Sequence, residues 1–334
     1  MNSIHKLAAQ YFQLVELHHL DIPPGSVLVQ PDVQTALYEY MFDETIFPIP
    51  PNSYRSRVLK QIISRIEESI TDPEQDELND NLMECWSTLL SQPKPSSLEQ
   101  AQQLSLVKYT APNKPTLTVT TSESRGLILS GGTTGNRTWE AALHLGSFLA
   151  SEAGETLRGK RVIELGAGTG FLALFCARHL GVESVVVTDR EPFLIDNIRA
   201  CVRYNLDGRE GIPIYPAVWE WGTPLERTGE LDGVAGDGLK FDIALGADLI
   251  YDSDLVPLLL STVRDLFENY GVQQFIIAAT LRNEDTFRTF LNGCETNTFA
   301  VETLPFESTP SKDQTGFFHS TSIPIRTYRI SRTK

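Results

Sequence analysis

The sequence predicts an α/β chain in two parts. A helical N-terminal extension with its linker covers residues 1–115, and a doubly wound, mainly parallel sheet flanked by helices covers residues 116–334. Three observations carry this reading. Apolar residues in the first part recur at helical spacing, strand-like and helical runs alternate in the second, and a glycine-rich junction opens that alternation.

In the extension, Tyr11, Leu14, Val15 and His18, then Val58, Ile62, Ile63 and Ile66, fall on helical faces. Ile22-Pro23-Pro24 and Phe47-Pro48-Ile49-Pro50-Pro51 divide it into several helices, because proline ends a helix and biases the residue before it toward extended geometry. The acidic run over 67–84 reads as a solvated helix face and turn rather than a docking site. Residues 92–114, with Pro93, Pro95, Ser96, Ser97 and Pro112, read as a connection holding one short helix and closed by Pro115.

Residues 117–121 then alternate in the strand manner. Further strands are expected at Arg161-Val162-Ile163-Glu164-Leu165, Ser184-Val185-Val186-Val187-Thr188, Ile212-Pro213-Ile214-Tyr215, Phe241-Asp242-Ile243-Ala244-Leu245 and Gln274-Phe275-Ile276-Ile277-Ala278, with helices between them. Such alternation means βαβ units and hence parallel strands. A closing strand is read at 322–330, where Pro324 suggests an edge or irregular position.

Composition narrows the function. The 334 residues are 41% hydrophobic and 21% charged, enough for a packed catalytic domain with a smaller module. A net charge of −15 would repel a phosphate backbone, so nucleic acid is disfavoured and a basic protein partner favoured. Cys85, Cys176, Cys201 and Cys294 form no CxxC pair, which suggests reduced thiols, no zinc knuckle and no metal. No apolar run reaches the length of a membrane span, and a soluble, cytoplasmic, untargeted monomer is expected.

The sharpest chemical signal is Val162-Ile163-Glu164-Leu165-Gly166-Ala167-Gly168-Thr169-Gly170, a strand entering a glycine loop and then a helix. Glycines permit close approach there, and the helix N-terminus offers free N–H groups. Phe171 stands where a dinucleotide fingerprint wants its third glycine, and Glu164 precedes the first; both features favour S-adenosylmethionine over NAD. Asp189, ending the next strand, is placed to accept ribose hydroxyls, a role compatible with helix capping ahead of Pro192. Of Trp219 and Trp221, one is expected to line an adenine pocket while the other fills core.

The fourth strand of this series runs into Gly246-Ala247-Asp248-Leu249-Ile250-Tyr251-Asp252, where ligands of open α/β sheets bind. Asp248 there can orient an amine and Tyr251 can shape its channel. A carboxylate of ordinary pKa, about 4, is a weak base, so a part for Asp248 in taking the proton stays open. Upstream, the glycine-rich turn 131–137 leads to Trp139. It reads either as a plain helix start capped by Thr138 or as a flap placing Trp139 at the methionine end of the cofactor.

Taken together, Thr138-Trp139-Glu140-Ala141-Ala142, the Glu164 to Gly170 loop, Trp221 and Asp248-Leu249-Ile250-Tyr251 resemble the seven-β-strand protein-lysine methyltransferases, whose signature is an acidic residue, two spacers and Tyr. Tyr38-Glu39-Tyr40-Met41-Phe42 and Pro50-Pro51-Asn52-Ser53-Tyr54-Arg55-Ser56-Arg57-Val58-Leu59-Lys60 are similar to the helical extension of the enzymes that methylate elongation factor 2. The resemblance implies a Rossmann-like class I methyltransferase fold with a seven-strand sheet, methylation of one lysine of elongation factor 2 in the cytoplasm, and substrate recognition by the extension. It also implies cofactor contacts from Trp139, Glu164, Gly166, Gly168, Gly170, Asp189, Trp221 and Ala247, with Asp248 and Tyr251 at the catalytic end. The competing readings are a methyltransferase for nucleic acid, a small molecule or another protein, a non-catalytic binding module, and a nicotinamide oxidoreductase. The absence of prolines after Asp248 counts against the nucleic acid reading, and Phe171 against the last.

Overall fold

A computed structural model describes residues 3–72, 77–93, 96, 103–124, 134–206, 208, 211–226, 231 and 238–333. The extension contains α1 (Ser3–Phe12), the single turn α2 (Gly25–Leu28), α3 (Pro31–Leu37), α4 (Asn52–Glu67) and α5 (Asp80–Ser91). In α4 the apolar residues Tyr54, Val58, Leu59, Ile62, Ile63 and Ile66 are all buried, the stripe expected of an amphipathic helix. The stripe read from Tyr11 to His18 is broken: α1 stops at Phe12, and Leu14 takes a left-handed φ of 56°. Of the acidic run, residues 73–76 lie outside the described residues.

The connection read over 92–114 is corrected. Leu104–Ala111 forms β1, which pairs antiparallel with β2 (Lys114–Ser124) through a turn at Pro112 and Asn113. The short helix expected there falls largely outside the described residues. The boundary drawn between residues 115 and 116 cuts into β2, and the hairpin it divides joins the two parts of the chain. Tyr109 of β1 packs edge-on against Phe171, whose ring in turn meets Phe317. The side chain of Gln13, just past α1, accepts the N–H of Phe318. One hydrophobic cluster therefore runs from Leu7 and Val58 through Val107 to Phe171 and Phe317.

The second part alternates as expected: α6 (Glu140–Leu149), β3 (Arg161–Leu165), α7 (Phe171–His179), β4 (Ser184–Asp189), α8 (Pro192–Val202), β5 (Ile214–Val218), β6 (Ile243–Ala247), α9 (Val256–Asn269), β7 (Gln274–Thr280), α10 (Glu284–Thr296), β8 (Phe299–Thr303) and β9 (Ile325–Arg332). The seven strands run in the order β5-β4-β3-β6-β7-β9-β8. β5, β4, β3, β6 and β7 are parallel, and β9 is antiparallel to both β7 and β8. This is the mainly parallel seven-strand sheet with flanking helices of a class I methyltransferase fold.

Of the two positions suggested for Pro324, it takes the irregular one: it precedes β9, which is sandwiched between β7 and β8, and the edge on that side is the unforeseen β8. The strand order reverses between β3 and β6, which opens a crevice beyond their carboxyl ends. No helix among the described residues is long and apolar enough to cross a membrane.

Candidate active site

The loop after β3 owes its course to three left-handed glycines: φ is +57° at Gly166, +56° at Gly168 and +74° at Gly170. A side chain would have no room at these positions. A Cβ on Gly166 would lie 2.7 Å from Leu249 Cδ2, one on Gly168 3.0 Å from the carbonyl oxygen of Gly135, and one on Gly170 2.8 Å from Ile198 Cγ1. The bare backbone thus leads into the N-terminus of α7, where free N–H groups gather.

Two carboxyls brace this loop. Glu164, only 3% exposed, turns inward to accept the N–H of Ala173 in the first turn of α7 at 2.8 Å. Burial pushes its pKa up to about 8, opposed by the Ala173 N–H and aided by the nearby Asp189 charge. Asp189, the last residue of β4, accepts the Gly168 N–H at 2.9 Å and the Glu191 N–H at 3.2 Å. Burial raises its pKa as well, against those backbone bonds.

Glu164, Gly166, Gly168 and Asp189 line a cleft of about 490 Å³ that also takes in Trp139, Trp221, Ala247, Asp248 and Tyr251, whereas Gly170 packs against Ile198 and is not part of its lining. Both tryptophans that the sequence leaves ambiguous border this cleft, Trp219 from the core and Trp221 over the glycine loop. Trp219 is 3% exposed, joins the core beside Tyr270 and donates its indole N–H to the Thr223 carbonyl. Trp221 stands over the glycine loop, its ring 3.2 Å from where a Gly166 Cβ would be. Trp139 precedes α6 and donates its indole N–H to the Thr134 carbonyl at 3.1 Å. The guanidinium of Arg137 lies 4.8 Å from its ring centre and that of Arg282 5.1 Å.

Thr138 is not the helix cap. Its hydroxyl donates to Glu123 Oε1 at 2.7 Å and lies 2.7 Å from the Thr169 hydroxyl of the glycine loop. Glu123, which the sequence reading passed over, is buried and also accepts the hydroxyls of Tyr109 and Thr121. The hairpin, the Trp139 approach and the glycine loop are tied together at this one carboxylate. The only sequence signal was its place near the end of an alternating strand.

At the far side of the cleft, Ala247 ends β6 and Asp248 follows with φ +54°. Oδ1 of Asp248 accepts the Thr280 N–H at 2.9 Å, and Oδ2 accepts the Thr280 hydroxyl at 3.0 Å and Arg282 Nη1 at 3.2 Å. Arg282 also donates Nη2 to Glu140 at 2.8 Å, and the sequence reading missed it too. Tyr251 sits at the mouth, 58% exposed. A second cleft of about 700 Å³ shares Arg137 and Thr138 with the first and is walled by Gln13, Glu16, Tyr54 and Arg57 of the extension.

A nucleotide-like cofactor fits what is present: a cradle that a Cβ would fill, a carboxyl beside it and a flat ring above it. Comparison with known proteins agrees. Residues 127–297 match the lysine methyltransferase family. The chain is 38% identical over 330 residues, 97% of its own length and 96% of the relative's, to protein-lysine N-methyltransferase EFM3 of Chaetomium thermophilum. It is 34% identical over 156 residues, 46% of this chain and 59% of the relative, to EEF1A lysine methyltransferase 3 of Mus musculus. It is 26% identical over 285 residues, 79% of this chain and 76% of the relative, to protein-lysine N-methyltransferase EEF2KMT of Bos taurus. A glycine cradle at the strand-order reversal, in a chain alike along nearly its whole length to a protein-lysine methyltransferase, leads to one conclusion: the chain belongs to the lysine methyltransferase family and is an S-adenosylmethionine-dependent protein-lysine N-methyltransferase.

Proposed function

We propose that the chain methylates one lysine of translation elongation factor 2 in the cytoplasm. The observation that carries this reading is how far each likeness extends. The likeness to the Bos taurus protein, whose name points to that factor, covers 79% of this chain and so reaches beyond residues 116–334 into the helical extension. The likeness to the Mus musculus protein, whose name points to a different factor, covers 46%. The extension segments 38–42 and 50–60 support the same substrate. Tyr54 and Arg57 of the second line the larger cleft beside Glu140, where a protein segment flanking the target lysine would lie.

When bound, S-adenosylmethionine supplies an electrophilic methyl group on a sulfonium sulfur. Asp189 holds the ribose hydroxyls, Trp221 covers the adenine, and the glycine loop with Glu164 sets the backbone N–H groups around the rest. Trp139 and Ala247 close the methionine end. Asp248 orients the arriving amine, and the exposed Tyr251 forms one wall of its channel. A free lysine side chain has a pKa near 10.4, so the amine must release a proton to solvent water at the open mouth before it attacks, a loss favoured beside the positive charge of the bound sulfonium.

The test is mass spectrometry of elongation factor 2 and elongation factor 1A, each incubated with the full chain and S-adenosylmethionine. A gain in methyl steps on one lysine of elongation factor 2 alone is expected. A gain on elongation factor 1A alone would overturn the substrate and leave the family assignment standing.

A further inference from the structure

Arg282 reaches into the mouth of the cleft from the turn between β7 and α10. Its guanidinium touches Asp248 at 3.2 Å and Glu140 at 2.8 Å, and lies 5.1 Å from the centre of the Trp139 ring. Two carboxylates and an indole face are the chemistry that receives an ammonium ion. Both carboxyls are largely withdrawn from water, the Asp248 side chain 9% exposed and that of Glu140 25%, so leaving them without a cation is unfavourable. The Arg282 side chain is 38% exposed and comes in from the solvent side. Its backbone is held separately: the Arg282 N–H reaches the Thr280 carbonyl, the Leu281 N–H the Pro324 carbonyl, and Asn283 caps α10. The side chain can therefore swing outward while the turn stays in place.

We propose that Arg282 is an internal placeholder for the substrate ammonium, filling the site of Asp248, Glu140 and Trp139 until an incoming lysine displaces it. This rests on the assignment of Asp248 to the amine end of the cleft. The consequence is specificity. A tethered guanidinium competes at high effective concentration, so a free amine is kept out, whereas a docked protein brings enough binding energy to displace it.

The test uses the full chain with S-adenosylhomocysteine and n-butylammonium chloride as probe, against sodium chloride at equal ionic strength, read by calorimetric titration and by melting temperature. Arg282→Ala is expected to bind n-butylammonium about tenfold or more tightly than the wild type. Arg282→Lys, which restores a tethered cation, should bind it as weakly as the wild type, and adding Asp248→Asn to Arg282→Ala should abolish the gain. Equal binding by the wild type and Arg282→Ala, or a gain that survives Asp248→Asn, would overturn the proposal. Elongation factor 2 plays no part in this measurement, so failure of that substrate assignment would show separately.

Discussion

The turn after β3 and the turn after β6 leave neighbouring parallel strands at the same end of the sheet, and both need left-handed backbone. The first is built of glycines. The second uses Asp248, a residue that enters this conformation at a cost of about 1–2 kcal/mol. Their surroundings explain the difference. At 166 and 170 a Cβ would collide with Leu249 and Ile198, which already pack against the bare backbone, so no side chain fits there. At 248 a side chain is wanted, and its strain is offset by donors from Thr280 and Arg282 and by the Asp248 N–H on the Ala278 carbonyl. One turn lets bare backbone pack closely along the cleft, whereas the other places a charge beside it.

That contrast can be broken by exchanging what each turn lacks. Asp248→Asn keeps a residue tolerant of positive φ and an acceptor for the Thr280 N–H, but removes the charge. It should lower kcat/KM about 10²- to 10³-fold while calorimetry finds cofactor affinity unchanged. Near-wild-type turnover would show that the charge at 248 serves only the fold. Gly166→Ala makes the opposite change, adding bulk without charge. The new methyl pushes on Leu249 and Trp221, and the cofactor Kd should rise about tenfold, a loss of about 1.4 kcal/mol. An unaltered Kd would mean that the cleft wall yields freely there.

The same contrast accounts for what the sequence made readable. Val185-Val186-Val187 and Phe275-Ile276-Ile277 announce buried parallel strands by local composition, and the glycine loop announces itself by spacing, since both signals are contiguous. β1 was missed although Val107, Tyr109 and Ala111 alternate inward, because the proline-rich approach drew the segment into a linker. The turn residue Asn113, at φ +56°, was the available clue to the hairpin. β8 is short and half exposed, and so carries little hydrophobic signal. Arg282 carries no contiguous signal, and Glu123 carries only its place near the end of a strand. The first meets Asp248 and Glu140 across 34 and 142 residues, and the second meets Thr138 across 15, so only the folded sheet and hairpin bring them to the cleft.

The smallest effect belongs to Glu164, which braces the glycine turn from beneath. Burial raises its folded pKa to about 8, well above the ordinary carboxyl value near 4.3, so the folded chain binds its proton more tightly than the unfolded chain does. Its contribution to stability is therefore most favourable below the unfolded value and declines as pH rises toward about 8, beyond which no further loss follows. Glu164→Gln still offers an oxygen to the Ala173 N–H but has no proton to lose. Between about pH 5 and about pH 8 its melting temperature should fall less than that of the wild type, by a few degrees. Protonation of His144, whose pKa burial lowers to about 4, works the other way: stability is lost as pH falls from about 6.5. Both proteins keep that histidine, so the difference between their melting curves isolates Glu164. Parallel curves across this range would mean that the carboxyl ionises beneath the glycine turn without penalty.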